Sequence, residues 1–251
     1  MTDVTAIVLA AGEGTRIKAN HRNKVAYKLA NKPMISYTVD NLKRSGIKNI
    51  IVVIGYAQNS VKKVLGNQVT YAIQKKQLGT GDAFKTGLKK VQSVTPNVIS
   101  IYGDDSAFFT PEVIRQLIKH HQKKHSDVTF LTLIKKDPTG LGRVIRNSKG
   151  NVTAIVEEKN TTTEEKKIIE INTGFYCFSR PFIDQAIKKV QKNPISQEYY
   201  LTDIIEIATK DNKKVEALLW KDKSVWYGVN TNEQFKTADK LMREKIKHEE
   251  N

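Results

Sequence analysis

The chain has 251 residues, a formal charge of +16 from 42 basic and 26 acidic side chains, and one cysteine. That length can bury a full core, a lone cysteine excludes an internal disulfide or a cysteine-built metal site, and no apolar run is long enough to span a bilayer. The chain enters a strand within a few residues, which leaves no room for a signal peptide, so a soluble cytoplasmic protein is expected. Lysine pairs are scattered from Lys62-Lys63 to Lys213-Lys214, and only 8 of the 42 basic residues are arginine. Base-edge readout and bidentate phosphate recognition lean on arginine, so specific nucleic-acid binding is not expected.

Val4 to Leu9 is an apolar run without alternation, which suits a strand buried on both faces of a parallel sheet. The chain then turns on Ala10, Ala11, Gly12 and Gly14, where small side chains let backbone N–H groups converge on an anion. Arg16 and Lys24 follow with fixed charge. Glycine in a strand-to-helix turn also serves geometry alone. The loop lacks both the third glycine of a dinucleotide fingerprint and the G-K-S/T of a P-loop.

Pro33 opens a helix with Ile35, Val39 and Leu42 on one face, ending at Gly46. Ile50 to Ile54 is a second buried strand, 60–65 a short helix, and Val69 to Ile73 a third strand. This alternation implies an α/β fold: a Rossmann-like, mostly parallel sheet with helices on both faces. The loop from Gln74 to Gly81 offers glycine N–H groups and the amides of Gln74 and Gln77, a set that matches a pyrimidine edge. A polar turn has the same composition. After a helix carrying Ala83, Phe84, Gly87 and Leu88 inward, the strand Val98 to Ile101 ends in Tyr102-Gly103-Asp104-Asp105. An acid at the carboxyl end of a parallel strand lies where such folds bind ligands, and its hard oxygens suit Mg²⁺; the other reading is a turn cap.

Thr110 N-caps a helix that begins at Pro111 and buries Val113, Ile114, Leu117 and Ile118. His121 and His125 on it read as a solvated face rather than a metal pair. Val128 to Ile134 is a strand, and Val144 to Arg146 with Val152 to Glu157 form an antiparallel hairpin around Asn147-Ser148-Lys149-Gly150, a small subdomain beside the pocket. The polar stretch 159–167 reads as a mobile loop, and Glu170 to Gly174 as a strand start, with Cys177 buried and inert beyond it. Helices at 181–190 and around Ile204, a strand from Val215 to Trp220, the run Trp226 to Asn230 and a last helix from Asn232 to His248 complete the chain.

The stretches LAAGEGTR, QKKQLGTG, YGD, DPTGLGR, VTAIVEEK, EINTG, EYYLTDII and GVN occur in this order across Val4 to Asn230. Together they resemble the sugar-1-phosphate nucleotidyltransferases, most closely the N-terminal uridylyltransferase domain of the bacterial enzymes that make UDP-N-acetylglucosamine. The resemblance implies the nucleotide-diphospho-sugar transferase fold in a single domain, with a nucleotide half (1–135), a sugar half (136–231) and a C-terminal helix (232–251). It implies Mg²⁺-dependent transfer of uridylyl from UTP to N-acetylglucosamine-1-phosphate, releasing pyrophosphate. Arg16 and Lys24 would act on the triphosphate, and Asp104 and Asn230 would hold Mg²⁺. Ala10, Gly12, Gln74, Gln77, Gly79 and Thr80 would contact uridine, with Gly14 in the same loop as the first two. Tyr102, Gly142, Glu157, Asn172 and Thr202 would form the sugar side. The implied partners are the two small substrates, and oligomeric state has no signature in the sequence.

The chain departs from that family in several places. It has one more residue between Arg16 and Lys24, and Asn23 stands where a proline is usual, which makes Arg22 a possible substitute for Lys24. Asp105 and Ser106 replace a small apolar residue and a proline; Asp105 could add a metal ligand or simply face solvent, and solvent is expected. Asp82 replaces a histidine beside the pyrimidine loop. No hexapeptide-repeat acetyltransferase half, and no trimer built by one, is expected. The alternatives are uridylyl or thymidylyl transfer to another sugar phosphate such as glucose-1-phosphate and, in a different class, a regulatory protein that binds sugar nucleotides without turnover.

Overall fold

Every residue of the first strand, β1 (Val4–Ala10), is buried, as an apolar run without alternation requires. The computed structural model describes residues 3–14 and 21–250, with side chains through His248. Two short strands, β2 (Lys28–Leu29) and β3 (Lys32–Pro33), precede α1 (Met34–Arg44), β4 (Asn49–Ile54), α2 (Gln58–Leu65), β5 (Thr70–Ile73), α3 (Thr80–Leu88) and β6 (Asn97–Tyr102). Next come α4 (Pro111–Lys124), β7 (Val128–Ile134), β8 (Arg143–Arg146), β9 (Val152–Val156) and β10 (Glu170–Ser179). The chain closes with α5 (Arg180–Lys189), α6 (Asp203–Lys210), β11 (Val215–Leu219) and α7 (Asn232–Glu250).

The main sheet has the strand order β11-β7-β10-β6-β1-β4-β5. β1 runs parallel to β4 and β6, β4 to β5, and β7 to β11, whereas β10 runs against both of its neighbours. The mostly parallel α/β architecture expected from the sequence is therefore present. β8 and β9 form the antiparallel hairpin, which joins the sheet where Arg143 pairs with Ile171 of β10.

Neighbouring residues of a strand point to opposite faces, and the core divides accordingly. Val8 and Val52 pack with Ile35 and Leu42 of α1, Val61 of α2 and Leu117 of α4. Ile7 and Val53 pack on the other side with Phe84 of α3, Ile183 of α5 and Ile204 of α6. A third cluster joins Ala238 and Met242 of α7 to Leu29, Met34 and Phe108. Cys177 is fully buried, as expected, and burial pushes its thiol pKa up.

Two expectations are corrected here. His121 does not face solvent: it is 2% exposed, with Nδ1 3.0 Å from Thr129 Oγ1, because the buried row Ile114, Leu117, Ile118 continues to it at helical spacing. His125 lies past the end of α4 in a left-handed conformation, so the two rings do not share a helix face. The stretch 159–167, read as a loop, folds into 3₁₀ turns at Glu158–Asn160 and Glu165–Lys167. Thr162 and Glu165 cap one another, the Thr162 N–H donating to the Glu165 carboxylate at 2.7 Å and the Glu165 N–H to Thr162 Oγ1 at 3.2 Å. No described helix is long and apolar enough to cross a membrane.

Candidate active site

Strand register brings the carboxyl ends of the parallel strands into line: Leu9 lies opposite Tyr102, Ala10 opposite Ile54, and Ile54 opposite Ile73. The residues that follow, Ala11, Gly55, Gln74 and Asp104, leave the sheet along one edge, where an α/β sheet presents its ligand crevice. β10 is antiparallel, so its amino end, with Asn172 opposite Thr132 of β7, reaches the same edge. A cavity of about 620 Å³ opens there.

Asn23 supports one wall. It is 1% exposed, and its Nδ2 lies 3.0 Å from the Ala10 carbonyl, 3.2 Å from that of Gly12 and 2.9 Å from that of Tyr56. Its Oδ1 accepts from the Val25 N–H at 3.1 Å. One buried amide thus satisfies carbonyls of the β1 loop from beneath and fixes the turn that carries Lys24. Ala10, Gly12 and Gly14 line the cavity above it.

The Lys24 ammonium is the centre of the site. It forms an ion pair with Asp104, donates to the Val229 carbonyl at 2.7 Å, and reaches Asn230 Oδ1 at 3.4 Å. The Val229–Asn230 segment is held from two sides: Asp105 Oδ1 accepts from the Val229 N–H at 3.1 Å, and Gln234 Oε1, in the first turn of α7, accepts from the Asn230 N–H at 2.7 Å. A carboxylate, an amide oxygen and a backbone carbonyl therefore converge on a cation. This is a set of hard oxygen donors of the kind that suits Mg²⁺, gathered here on the Lys24 ammonium.

On the wall formed by the loop after β5, Gln74 is 4% exposed, and its Nε2 donates to the Gly79 carbonyl at 3.2 Å and to Asp82 Oδ2 at 2.8 Å. The segment Glu198 to Leu201 clasps the loop, with the Tyr199 N–H donating to the Leu78 carbonyl, the Gly81 N–H to the Tyr199 carbonyl, both at 2.8 Å, and the Leu201 N–H to Thr80 Oγ1 at 3.0 Å. Gly79 has φ +100, and a Cβ there would come within 2.5 Å of the Tyr199 carbonyl oxygen, so the clasp requires glycine.

The opposite wall is built on β10. Asn172 donates from Nδ2 to the Tyr176 hydroxyl at 2.6 Å and accepts at Oδ1 from the Gly174 N–H at 3.0 Å, which fixes its amide at the β10 irregularity. Gly174, at φ +76, makes room for Tyr102: a Cβ there would lie 2.0 Å from a ring carbon. Glu157 accepts from Thr202 Oγ1 at 3.1 Å. Burial raises the Glu157 pKa, with Asp203 and Glu198 adding to the rise. The Tyr102 hydroxyl is pushed up by burial and then by Glu157. The loop before β8 is anchored by Arg143, 1% exposed, which donates to the Leu141 carbonyl and pairs with Glu158 at 2.6 Å, while the Gly140 N–H donates to the same carboxylate at 3.0 Å.

The profile described as Nucleotidyl transferase matches residues 5–245 of this chain. The chain belongs to the nucleotidyl transferase family. It is 39% identical over 241 residues to the Bifunctional protein GlmU of Geobacillus thermodenitrificans, covering 96% of this chain and 52% of that protein. It is 38% identical over 255 residues to the Bifunctional protein GlmU of Caldanaerobacter subterraneus, covering 100% and 54%. The chain spans about half the length of these relatives. A crystal structure from Bacillus anthracis, assigned as a glucose-1-phosphate thymidylyltransferase, has the same fold: TM-score 0.79 at 22% identity, over 96% of this chain and 95% of that one.

In this nucleotidyl transferase the cavity gathers most of the residues singled out in the sequence: Ala10, Gly12, Gly14, Lys24, Gln74, Gln77, Gly79, Thr80, Tyr102, Asp104, Gly142, Glu157, Asn172 and Asn230 all line it. Arg16 lies outside the described residues. Thr202 is 1% exposed and does not reach the cavity wall; it stands behind Glu157 and orients that carboxylate. Asp105 does not simply face solvent, because the Val229 N–H claims it. Arg22 is exposed, with its guanidinium 5.8 Å from the Tyr27 ring centroid, and does not take the place of Lys24. Sequence reasoning missed Asn23 as a support, although it adjoins Lys24. It also missed Glu198, Thr173 and Trp226, which line the cavity, although two of them sit inside the motif stretches EYYLTDII and EINTG.

Proposed function

We propose that this cavity transfers the uridylyl group of UTP to N-acetylglucosamine-1-phosphate, giving UDP-N-acetylglucosamine and pyrophosphate. The observation that carries the reading is the convergence of Asp104, Asn230 and the Val229 carbonyl on a cation between the glycine loop of β1 and the polar wall of Glu157 and Asn172. One side offers small residues to a triphosphate and the other offers fixed polar groups to a sugar. The choice of N-acetylglucosamine-1-phosphate rests on the motif resemblance and on the GlmU relatives.

In this reading an oxygen of the sugar phosphate attacks the α-phosphorus of UTP, and the bond from that phosphorus to the oxygen bridging to the β-phosphorus breaks as pyrophosphate leaves. The nucleophile is already an anion, so catalysis is positioning and charge neutralisation. Asp104 and Asn230 would hold Mg²⁺, which when bound neutralises negative charge on the phosphates it contacts. The β1 loop would seat the triphosphate, and Lys24 and Arg16 would carry positive charge to it. Gln74 and Gln77 would read the base. Glu157, held by Thr202, would accept hydroxyl hydrogen bonds from the sugar, and Asn172 would offer its remaining amide hydrogen. UTP and sugar phosphates are cytoplasmic metabolites, and we place the enzyme there.

The test is pyrophosphate release measured over a panel of nucleoside triphosphates and sugar phosphates, with Mg²⁺ or a chelator. The expected result is turnover with UTP and N-acetylglucosamine-1-phosphate that stops on chelation. Binding of both without turnover contradicts the proposal and favours a sensor of sugar nucleotides.

A further inference from the structure

Gln74 is nearly buried at the base of the nucleotide wall, and both acceptors on its amide nitrogen are acceptor-only groups, the Gly79 carbonyl at 3.2 Å and the Asp82 carboxylate at 2.8 Å. An amide flipped the other way would set its oxygen against two oxygens that have no proton to give. The orientation is therefore decided by chemistry rather than by choice. Both hydrogens of Nε2 are spent, and Oε1 has no partner among the described residues. Asp82 sits in the first turn of α3, on an element other than the loop that carries Gln74.

We infer that Asp82 is a positioning residue that sets base selectivity by locking the Gln74 amide with its oxygen toward the ligand; the inference rests on the nucleotide reading of this wall. A fixed acceptor welcomes a base with an N–H at its pairing edge, as uracil and thymine have at N3. Cytosine presents a lone pair at the same position and meets repulsion between two acceptors. A site that leaves a buried polar group unpaired with the wrong substrate can discriminate by about 10⁴ or more. Without Asp82 only the longer contact to the Gly79 carbonyl remains, and the amide can swing to offer Nε2 to cytosine.

The experiment compares kcat/KM for UTP and CTP in the wild type, Asp82→Ala and Asp82→Asn, alongside equilibrium binding of both nucleotides and thermal unfolding. Asp82→Ala is expected to lower the UTP-over-CTP ratio about tenfold or more while leaving the KM for the sugar phosphate unchanged. Asp82→Asn keeps the shape but carries an N–H that can turn to donate to a flipped Gln74 oxygen, so the lock is lost and the ratio is expected to fall as in Asp82→Ala. A purely packing role would leave the near-isosteric Asp82→Asn at the wild-type ratio, and a purely electrostatic one would move UTP and CTP together and leave their ratio unchanged in both variants. A folded Asp82→Ala with the wild-type ratio, in turnover and in binding, overturns the assignment. A wild type that binds neither nucleotide contradicts instead the nucleotide reading of the wall. The binding arm answers for Asp82 whether or not the chain turns over.

Discussion

The Lys24 ammonium rests on the Asp104 carboxylate, one residue delivered just after the β1 loop and the other by the end of β6. Each is a poor tenant of a half-buried site alone, and each makes the other tolerable. In the proposed reaction the same carboxylate would hold the divalent cation. Asp104→Asn keeps the shape and removes the charge, so turnover is expected to fall at least about 10³-fold, the scale of losing a principal electrostatic group. Circular dichroism should show the fold intact. Pyrophosphate release under saturating substrates checks the first part, and wild-type activity in the variant would remove Asp104 from the chemistry.

Gly174 under the Tyr102 ring sets a steric limit. Any side chain there has to adopt φ +76 and displace an aromatic ring that its Cβ would otherwise overlap. Backbone strain alone costs about 1–3 kcal/mol, and with the clash Gly174→Ala is expected to lose about 3 kcal/mol or more. Urea unfolding measures it. A midpoint unchanged from wild type would mean that Tyr102 yields freely.

Asn23 has φ −66 and ψ 142, angles that proline also adopts, so Asn23→Pro fits the backbone. It nonetheless loses the Asn23 N–H bond to Ser60 Oγ at 2.9 Å and the amide beneath Ala10, Gly12 and Tyr56. Leaving those carbonyls short of donors is expected to cost about 1–3 kcal/mol and to raise the KM for UTP several-fold, with a smaller effect on the sugar phosphate. Chemical denaturation and initial rates with each substrate varied in turn report the two effects separately.

Sequence reading reached far because the strands are continuous apolar runs and their helices keep a 3.6-residue stripe. Val128 to Ile134 appears in the fold with the same bounds. Glycines, amides and acids at strand ends were legible for a related reason: alternating strands and helices force those ends onto one edge. The sequence conceals partnerships between distant residues. Asp105 reads as solvated until Val229 is seen beside it, and His121 reads as polar surface although it extends a buried row. Asn23 looks like a loop residue, because collecting three carbonyls is a property of the folded turn alone.

Two groups, the buried His121 and the half-buried Asp203, make stability respond to pH in opposite senses. Burial, reinforced by Glu206, raises the Asp203 pKa from 3.8 to about 6, so between these values the folded chain holds more protons than the unfolded one. Its contribution therefore falls as pH rises through that window. Burial lowers the His121 pKa from 6.5 to about 4, the folded chain there holds fewer protons, and its contribution rises with pH over a similar range. Asp203→Asn is expected to be more stable than wild type at pH 7, with the gap closing as pH falls to about 4. His121→Gln is expected to flatten the acid limb of the wild-type curve. Denaturation midpoints from pH 4 to 7 would reveal either slope, and a gap for Asp203→Asn that widens in acid would reverse its sign.

The account depends on side chains from the turn after β6 and from the segment before α7 sharing one cation between two phosphorylated substrates. Titration of Mn²⁺, followed by its paramagnetic resonance in the presence of UTP, tests this directly. The expected result is a single bound ion per chain in wild type, lost or greatly weakened in both Asp104→Ala and Asn230→Ala. Undiminished binding in folded preparations of both variants would contradict it.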